Sequence, residues 1–387
     1  MSADSKTAFV TLQENNAIAV VDLVTKQIVD IQTADTVNHN LAGNGIDASD
    51  RGGIDIRTLP VQGIRMPDGI ANYTVGGQTY YVTANEGDAR DLFGDEARAS
   101  SVILDPSNPA LGLQGANDLG RLNISNIDGD TDGDGDFDAL FSYGSRSFTI
   151  FDAEGNVVFD SGDDFEQLIA LNFPDFFNSD NTDNTSLDNR SDNKGPEPEG
   201  VVVGQIDGKI YAFIGLERQG GVIVYDVTNP AAATFVDYIN TRDFTAVEDT
   251  SAAGDLGPKG LAFISAKDSP IDQPLLAVSN EISGTTRIYK VEPDVLHSKF
   301  CMRLTSKLAS THSTTPRTSR RLWMHSTILM TTPSSCLPAT TISPALFSTR
   351  AVTRACAKNS QQPIKSCSTS PALQRSARVL AVSTSRC

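Results

Sequence analysis

Short apolar runs, each broken by glycine, aspartate or proline, recur along the chain up to about residue 290. The clearest set lies between Pro198 and Asp226. A Pro-x-Gly step at Pro198 and Gly200 opens a run at 201–203, Asp207 and Gly208 separate it from a second at 210–216, and Gly220 and Gly221 precede a third at 222–225. Runs this short, rich in Val, Ile, Phe and Tyr and bounded by turn residues, predict antiparallel strands in a meander.

Three other segments repeat the pattern. Residues 8–14 lead into 17–22; Pro67, Asp68 and Gly69 precede 80–86; Pro258, Lys259 and Gly260 precede 275–281 and 286–289. Each copy ends a strand on a glutamate, namely Glu14, Glu86, Glu217 and Glu281, at spacings of 72, 131 and 64 residues. Because 131 is close to two periods, a further unit is expected around 147–160, where the glutamate is lacking.

A repeat of that length built from short strands predicts an all-β fold, a β-propeller of the YVTN or WD40 kind with enlarged blades, since compact blades need only about 40–50 residues. Runs apolar on both faces fit blades that cover one another. The alternative is an irregular β-sandwich. About five units are visible, fewer than a closed ring is expected to need, so the ring is read as incomplete. The first copy lacks a Pro-x-Gly strand, and upstream sequence is expected to be missing.

Composition divides the chain near residue 295. Residues 1–294 carry 18 basic against all 48 acidic residues, a formal −30, whereas residues 295–387 hold 13 Lys and Arg and no carboxylate. All five cysteines and Trp323 also lie beyond 295. Two domains follow: propeller blades over 1–294, and a basic, Ser/Thr-rich, disordered tail over 295–387. Beside the plain reading as a disordered basic tail, a reading-frame shift near Val295 is expected from the abrupt loss of acid. Regrouping the possible codons of 338–346 one base earlier permits Gly-Asp-Asn-Tyr-Ile-Pro-Gly-Pro, which restores the acidic character. So acidic a body excludes nucleic acid as a partner and favours divalent cations. No run approaches the ~20 apolar residues of a membrane span, and no signal peptide is visible in the polar first six residues.

The aspartate-rich loop is the clearest chemical feature. Asp130, Asp132, Asp134, Asp136 and Asp138 alternate with small residues, and Gly135 lets the chain bend around an ion; Ca²⁺ accepts about 6–8 such oxygen ligands. Phe141 stands where an EF-hand has its glutamate, so the loop resembles the D-x-D-x-D-G-x-x-D type instead. A second register starting at Asp128 fits equally well. Glu14, Glu86, Glu217 and Glu281 are expected on one central ring, where they either bind a cation or polar ligand or accept hydrogen bonds from the next blade; the structural role is favoured. The loop with Asp188, Arg190, Asp192, Lys194, Glu197 and Glu199 reads as a binding loop or a salt-bridged one. Arg90, Asp91, Arg98 and Arg218 lie in similar loops. Only His39 precedes residue 295, which argues against His triads and polyhistidine centres, and no phosphate loop, G-x-S-x-G or H-E-x-x-H occurs.

The stretches VTLQENNAIAVVDL, GNGIDASDRGGIDIR, YYVTANEGDARD, GDTDGDGDFD, RSDNKGPEPEGVVVG and YAFIGLERQGGVIVYDVTNP, in that order, resemble the choice-of-anchor I domain family. Its bacterial members are often labelled alkaline phosphatase-like, and its animal relatives include mesenchyme-specific cell-surface glycoproteins. The resemblance implies an exported or surface propeller with no catalytic residues to carry over. A calcium-stabilised extracellular binding or scaffold module is therefore expected, with a protein, glycan or phosphoester as ligand. The alternative is an alkaline phosphatase-like, Ca²⁺-dependent phosphoric monoester hydrolase, or the propeller part of a larger protein: the shifted Gly-Asp-Asn-Tyr resembles a metal-ligand block of calcineurin-like phosphoesterases and nucleotidases.

Overall fold

The computed structural model describes residues 1–292 apart from 3, 91–93 and 249. The domain expected over 295–387, with its cysteines and Trp323, lies outside the described residues, as does Asp91.

In chain order, β1 (Thr7–Leu12), β2 (Ala17–Asp22) and β3 (Gln27–Thr33) form a first antiparallel sheet. β4 (Thr36–Asn38) and β5 (Gln62–Ile64) start a second, and β6 (Ile70–Val75) and β7 (Gln78–Ala84) start a third. β8 (Glu96–Arg98), β9 (Asn123–Ser125) and β10 (Phe141–Tyr143) return to the second sheet, whose order is β4-β5-β10-β9-β8. β11 (Phe148–Asp152) and β12 (Val157–Asp160) then complete the third as β12-β11-β7-β6. After the helix α1 (Asp164–Asn172) come β13 (Pro198–Ile206), β14 (Lys209–Leu216), β15 (Val222–Asp226) and β16 (Thr234–Ile239), a four-stranded meander. β17 (Pro258–Ile264), β18 (Leu275–Asn280) and β19 (Thr285–Lys290) make the last described sheet. The fold is all-β.

One expectation is corrected. The strands at 148–160 are not a separate unit: β11 pairs with β7 through Phe148↔Ala84 to Asp152↔Tyr80, so they are the outer half of the sheet that β6 and β7 begin. The long spacing between Glu86 and Glu217 arises because β8, β9 and β10 are inserted between β7 and β11. A hairpin-based count could not show this, since the pairing closes only after the insertion.

The run at 210–216 is apolar throughout because both of its faces are covered. Ala212, Ile214 and Leu216 join Val82, Phe148, Ile150 and Phe165 on one side. The alternating Tyr211 and Phe213 join Leu276, Val278 and Phe263 on the other. With side chains pointing to opposite faces at period two, this places the fourth sheet between the third and the fifth. Phe148 meets Tyr225 edge-on at 4.7 Å, and Phe213 stacks on Phe263 at 5.8 Å. Ile18 and Phe9 of the first sheet likewise reach Tyr81 and Phe151 of the third. Sheets one, three, four and five thus follow one another in space, each covering its neighbour.

The two end sheets expose their remaining faces. Val10 and Ile31, which flank Ala19 in register, are 44% and 61% exposed, and Ile288, opposite Ala277, is 60% exposed. Exposed apolar sheet faces favour association. The full chain is expected to elute from size exclusion as a concentration-dependent oligomer, and Ile31→Lys combined with Ile288→Lys to shift it toward monomer. A wild-type monomer at every concentration would contradict this.

Candidate functional site

The Pro-x-Gly steps decide what gathers at the inner strand ends. The residue before each proline is left-handed: Met66 (φ 45), Glu197 (φ 54) and Gly257 (φ 69). Register then sets Pro198 opposite Leu216 and Pro258 opposite Asn280. The next residues, Glu217 and Glu281, donate their backbone N–H groups to the carbonyls of Glu197 and Gly257 at 2.8 and 2.7 Å. The recurring glutamate therefore stands beside the start of its own sheet's first strand. Glycine in each step lets the next sheet come close: Gly69 N–H donates to Glu199 O at 2.9 Å, linking the third and fourth sheets.

Here Asp68, Glu86, Glu197, Glu199, Glu217 and Glu281 converge. Oxygens of Asp68, Glu86 and Glu199 lie within 4.8 Å of one another, as do those of Glu86, Glu197 and Glu217, and of Glu199, Glu217 and Glu281. Glu197 is fully buried and receives Arg190 at 2.5 Å, Lys194 at 3.1 Å and Arg218 at 3.2 Å. Burial alone would raise its carboxyl, but Lys194, Arg190 and Arg218 together hold it down at about 2. Lys194 also donates to Glu86 at 2.8 Å. Lys259 binds Glu199 and lies 3.6 Å from Glu281. Burial pushes Glu199 up to about 7 and Glu217 up to about 8, with Glu197 adding repulsion at Glu217. Asn181 donates to Glu217 at 3.0 Å and accepts from Arg218 at 2.9 Å.

Three of the four glutamates expected on a ring thus meet; Glu14 does not. It sits exposed on the 3-10 turn Gln13–Asn15, and Gln13 reaches inward instead, donating to Glu86 at 2.9 Å. The pattern gave no sign of that turn. Asp68, Glu197 and Glu199 went unassigned in the ring, although a charged residue inside every Pro-x-Gly step (Asp68, Glu199, Lys259) was a usable signal. The loop from Asp188 to Glu199 is salt-bridged: besides Arg190 and Lys194, Asp192 pairs with Arg98 at 2.9 Å and Arg121 at 3.0 Å.

The aspartate loop joins β9 to β10. Phe137 anchors it among buried apolar residues and donates its N–H to Ile103 O at 2.8 Å. Asp130 accepts from the N–H groups of Gly133 and Gly135 at 2.7 and 3.0 Å, and Asp138 from Thr131 N–H at 2.8 Å. Gly135 has φ 104, a conformation open to glycine. Oxygens of Asp130, Asp132 and Asp138 lie within 4.8 Å of one another; Asp134 and Asp136 stand outside that group. Repulsion from Asp134 raises Asp132, burial raises Asp136, and the bonds from Thr131 lower Asp138. Asp128 is taken by Arg90 and by Ser125 at 2.8 Å, which favours the register that starts at Asp130. Three convergent carboxylates are the donor set a hard cation such as Ca²⁺ takes.

His39 is buried. Its Nδ1 lies 2.7 Å from Asn44 O, and burial lowers it to about 4, so the ring is neutral and sealed from solvent. Among the described residues no helix is long and apolar enough to cross a membrane.

These features define an all-β protein of successive antiparallel sheets, with an ion-paired carboxylate centre at their inner ends and an aspartate loop on an inserted sheet. Residues 1–230 match the choice-of-anchor I domain, and the chain belongs to that family. It is similar to Gigasin-3a of Magallana gigas, 29% identical over 184 residues, covering 45% of this chain and 64% of that protein. It is also similar to the mesenchyme-specific cell surface glycoprotein of Strongylocentrotus purpuratus, 28% identical over 229 residues, covering 49% of this chain and 29% of that one. The chain thus spans less than two thirds of either relative. Among solved structures, Kuenenia stuttgartiensis hydrazine synthase aligns at 12% identity and a TM-score of 0.34, over 75% of this chain and 57% of that one, a likeness that fixes neither fold nor function.

Proposed function

We propose that this chain is a β-propeller module of a secreted or cell-surface protein, stabilised by Ca²⁺ in the loop of Asp130, Asp132 and Asp138, and that it binds or scaffolds a protein or glycan. The convergence of those three carboxylates carries the reading. The succession of sheets that cover each other supports blades, and membership of the family together with the name of the sea-urchin relative supports the surface location. The one histidine among the described residues is shut away from any substrate.

The full chain, stripped with chelator, should melt a few degrees higher in millimolar Ca²⁺, as for a site of extracellular affinity, and should not hydrolyse p-nitrophenyl phosphate. Asp130→Ala with Asp138→Ala should reduce the shift. A melting temperature indifferent to Ca²⁺ would contradict the calcium site. Turnover abolished by Asp130→Ala and Asp134→Ala would establish the Ca²⁺-dependent phosphoesterase instead.

A further inference from the structure

The inner ends of the sheets hold more negative charge than their side chains neutralise. Six carboxylates, Asp68, Glu86, Glu197, Glu199, Glu217 and Glu281, meet four cations, Arg190, Lys194, Arg218 and Lys259. Asp180, behind the two arginines at 3.9 and 4.0 Å, adds a seventh carboxylate. Three of the cations crowd onto Glu197, so the shortage falls elsewhere.

It falls on Glu199. This residue is 2% exposed; Lys259 occupies Oε1, while Oε2 is buried with no hydrogen-bond partner among the described residues. A buried carboxylate oxygen without a donor is costly. Carboxylate oxygens of Asp68 and Glu86 lie within 4.8 Å of a Glu199 oxygen. Such a group requires a cation or a proton between its members. Lys194 and Lys259 hold the Oε1 atoms of Glu86 and Glu199. Three largely buried carboxylates suit Ca²⁺, which takes oxygen ligands in flexible geometry, whereas Mg²⁺ demands a near-octahedral shell and sheds its waters reluctantly.

We propose that Asp68, Glu86 and Glu199 form a second divalent-cation site, selective for Ca²⁺ over Mg²⁺ and separate from the aspartate loop. Asp68 and Glu86 flank β6 and β7 of the third sheet, and Glu199 belongs to β13 of the fourth. An ion held by all three fastens these sheets together, next to Gln13 from the first.

The test uses the full chain carrying Asp130→Ala and Asp132→Ala, freed of metal by chelator and titrated with Ca²⁺ by calorimetry. One ion per chain is expected, with Mg²⁺ at least tenfold weaker, and adding Glu199→Gln should weaken Ca²⁺ at least tenfold. Far-UV circular dichroism establishes that each protein is folded. Should Glu199→Gln not fold, Asp68→Asn, at a half-buried position, must show the same loss. No binding to the folded loop variant overturns the proposal, as does binding unchanged by the substitutions. Failure of the loop site would show separately, as equal stoichiometry in the wild type and the loop variant.

Discussion

Glu197→Ala is expected to lower the unfolding free energy of the full chain by about 3–5 kcal/mol, the usual cost of breaking a buried ion pair from one side. The carboxylate is fully buried, and Arg190, Lys194 and Arg218 all point at it. Their alternatives are already engaged: Lys194 shares Glu86, and Arg218 lies 3.5 Å from Glu217, which burial and repulsion drive toward protonation. Removing Glu197 therefore takes the nearest shared partner from three cations at once, leaving Lys194 to Glu86 and the two arginines to the more distant Asp180. Urea unfolding should show the loss as a lower midpoint at unchanged slope. The pH dependence has a definite sign. Because the folded carboxyl titrates at about 2 against an ordinary 4.5, its stabilisation is complete above the ordinary value and is lost as pH falls through about 2. The gap between wild type and variant should shrink as pH falls from about 4.5 toward 2. Glu199 and Glu217 act oppositely: their folded values near 7 and 8 make the folded state hold more protons than the unfolded one from about pH 5 to 8. In chelator, wild-type stability should therefore fall as pH rises across that window. A flat midpoint for Glu197→Ala would show that the three cations do not depend on it.

The centre was half legible in the chain. Glu86, Glu217 and Glu281 declare themselves because each follows a strand whose register is local, and local register fixes which end of the sheet a side chain occupies. Glu14 has the same spacing but enters a 3-10 turn, a choice of a few backbone angles that apolar patterning does not record. The aspartate loop was legible as a cation loop, yet its register rested on Arg90, 38 residues from Asp128, and no repeat rule reports such a partner. Glu197 was hidden for another reason: its importance comes from three cations that only the folded chain directs to one point.

The strands themselves were readable wherever pairing is between neighbours, as in β13 to β16. The sheet that ends with β11 and β12 was misread because β7 waits across an insertion for its partner. The sequence records the apolar character of β11, which follows from burial on both faces, but not which strand lies alongside it.

Gly69→Ala and Gly200→Ala should each destabilise the chain by about 3 kcal/mol, toward the upper end for overpacking a close contact. A Cβ at Gly69 would stand 2.5 Å from Glu199 O and 2.9 Å from Val201 N. At Gly200 it would run into the carbonyl oxygen of Lys259 and lie 2.6 Å from Leu261 Cδ1. Both obstacles include backbone of the following sheet, which cannot rotate aside, so the sheets must part and the apolar faces between them lose contact. Gly260→Ala is the internal comparison, since it alters the same motif position in β17. There the new methyl would meet the Ser279 side chain, with Oγ at 2.5 Å, and no neighbouring sheet. A hydroxyl can turn away, and the loss should stay below about 1 kcal/mol. Thermal or urea unfolding of the three variants therefore separates two roles of this glycine. Equal losses at all three positions would mean that the motif serves its own hairpin; a loss confined to Gly69 and Gly200 would show that it sets the distance between successive sheets, and with it the spacing of the carboxylates of Asp68 and Glu199.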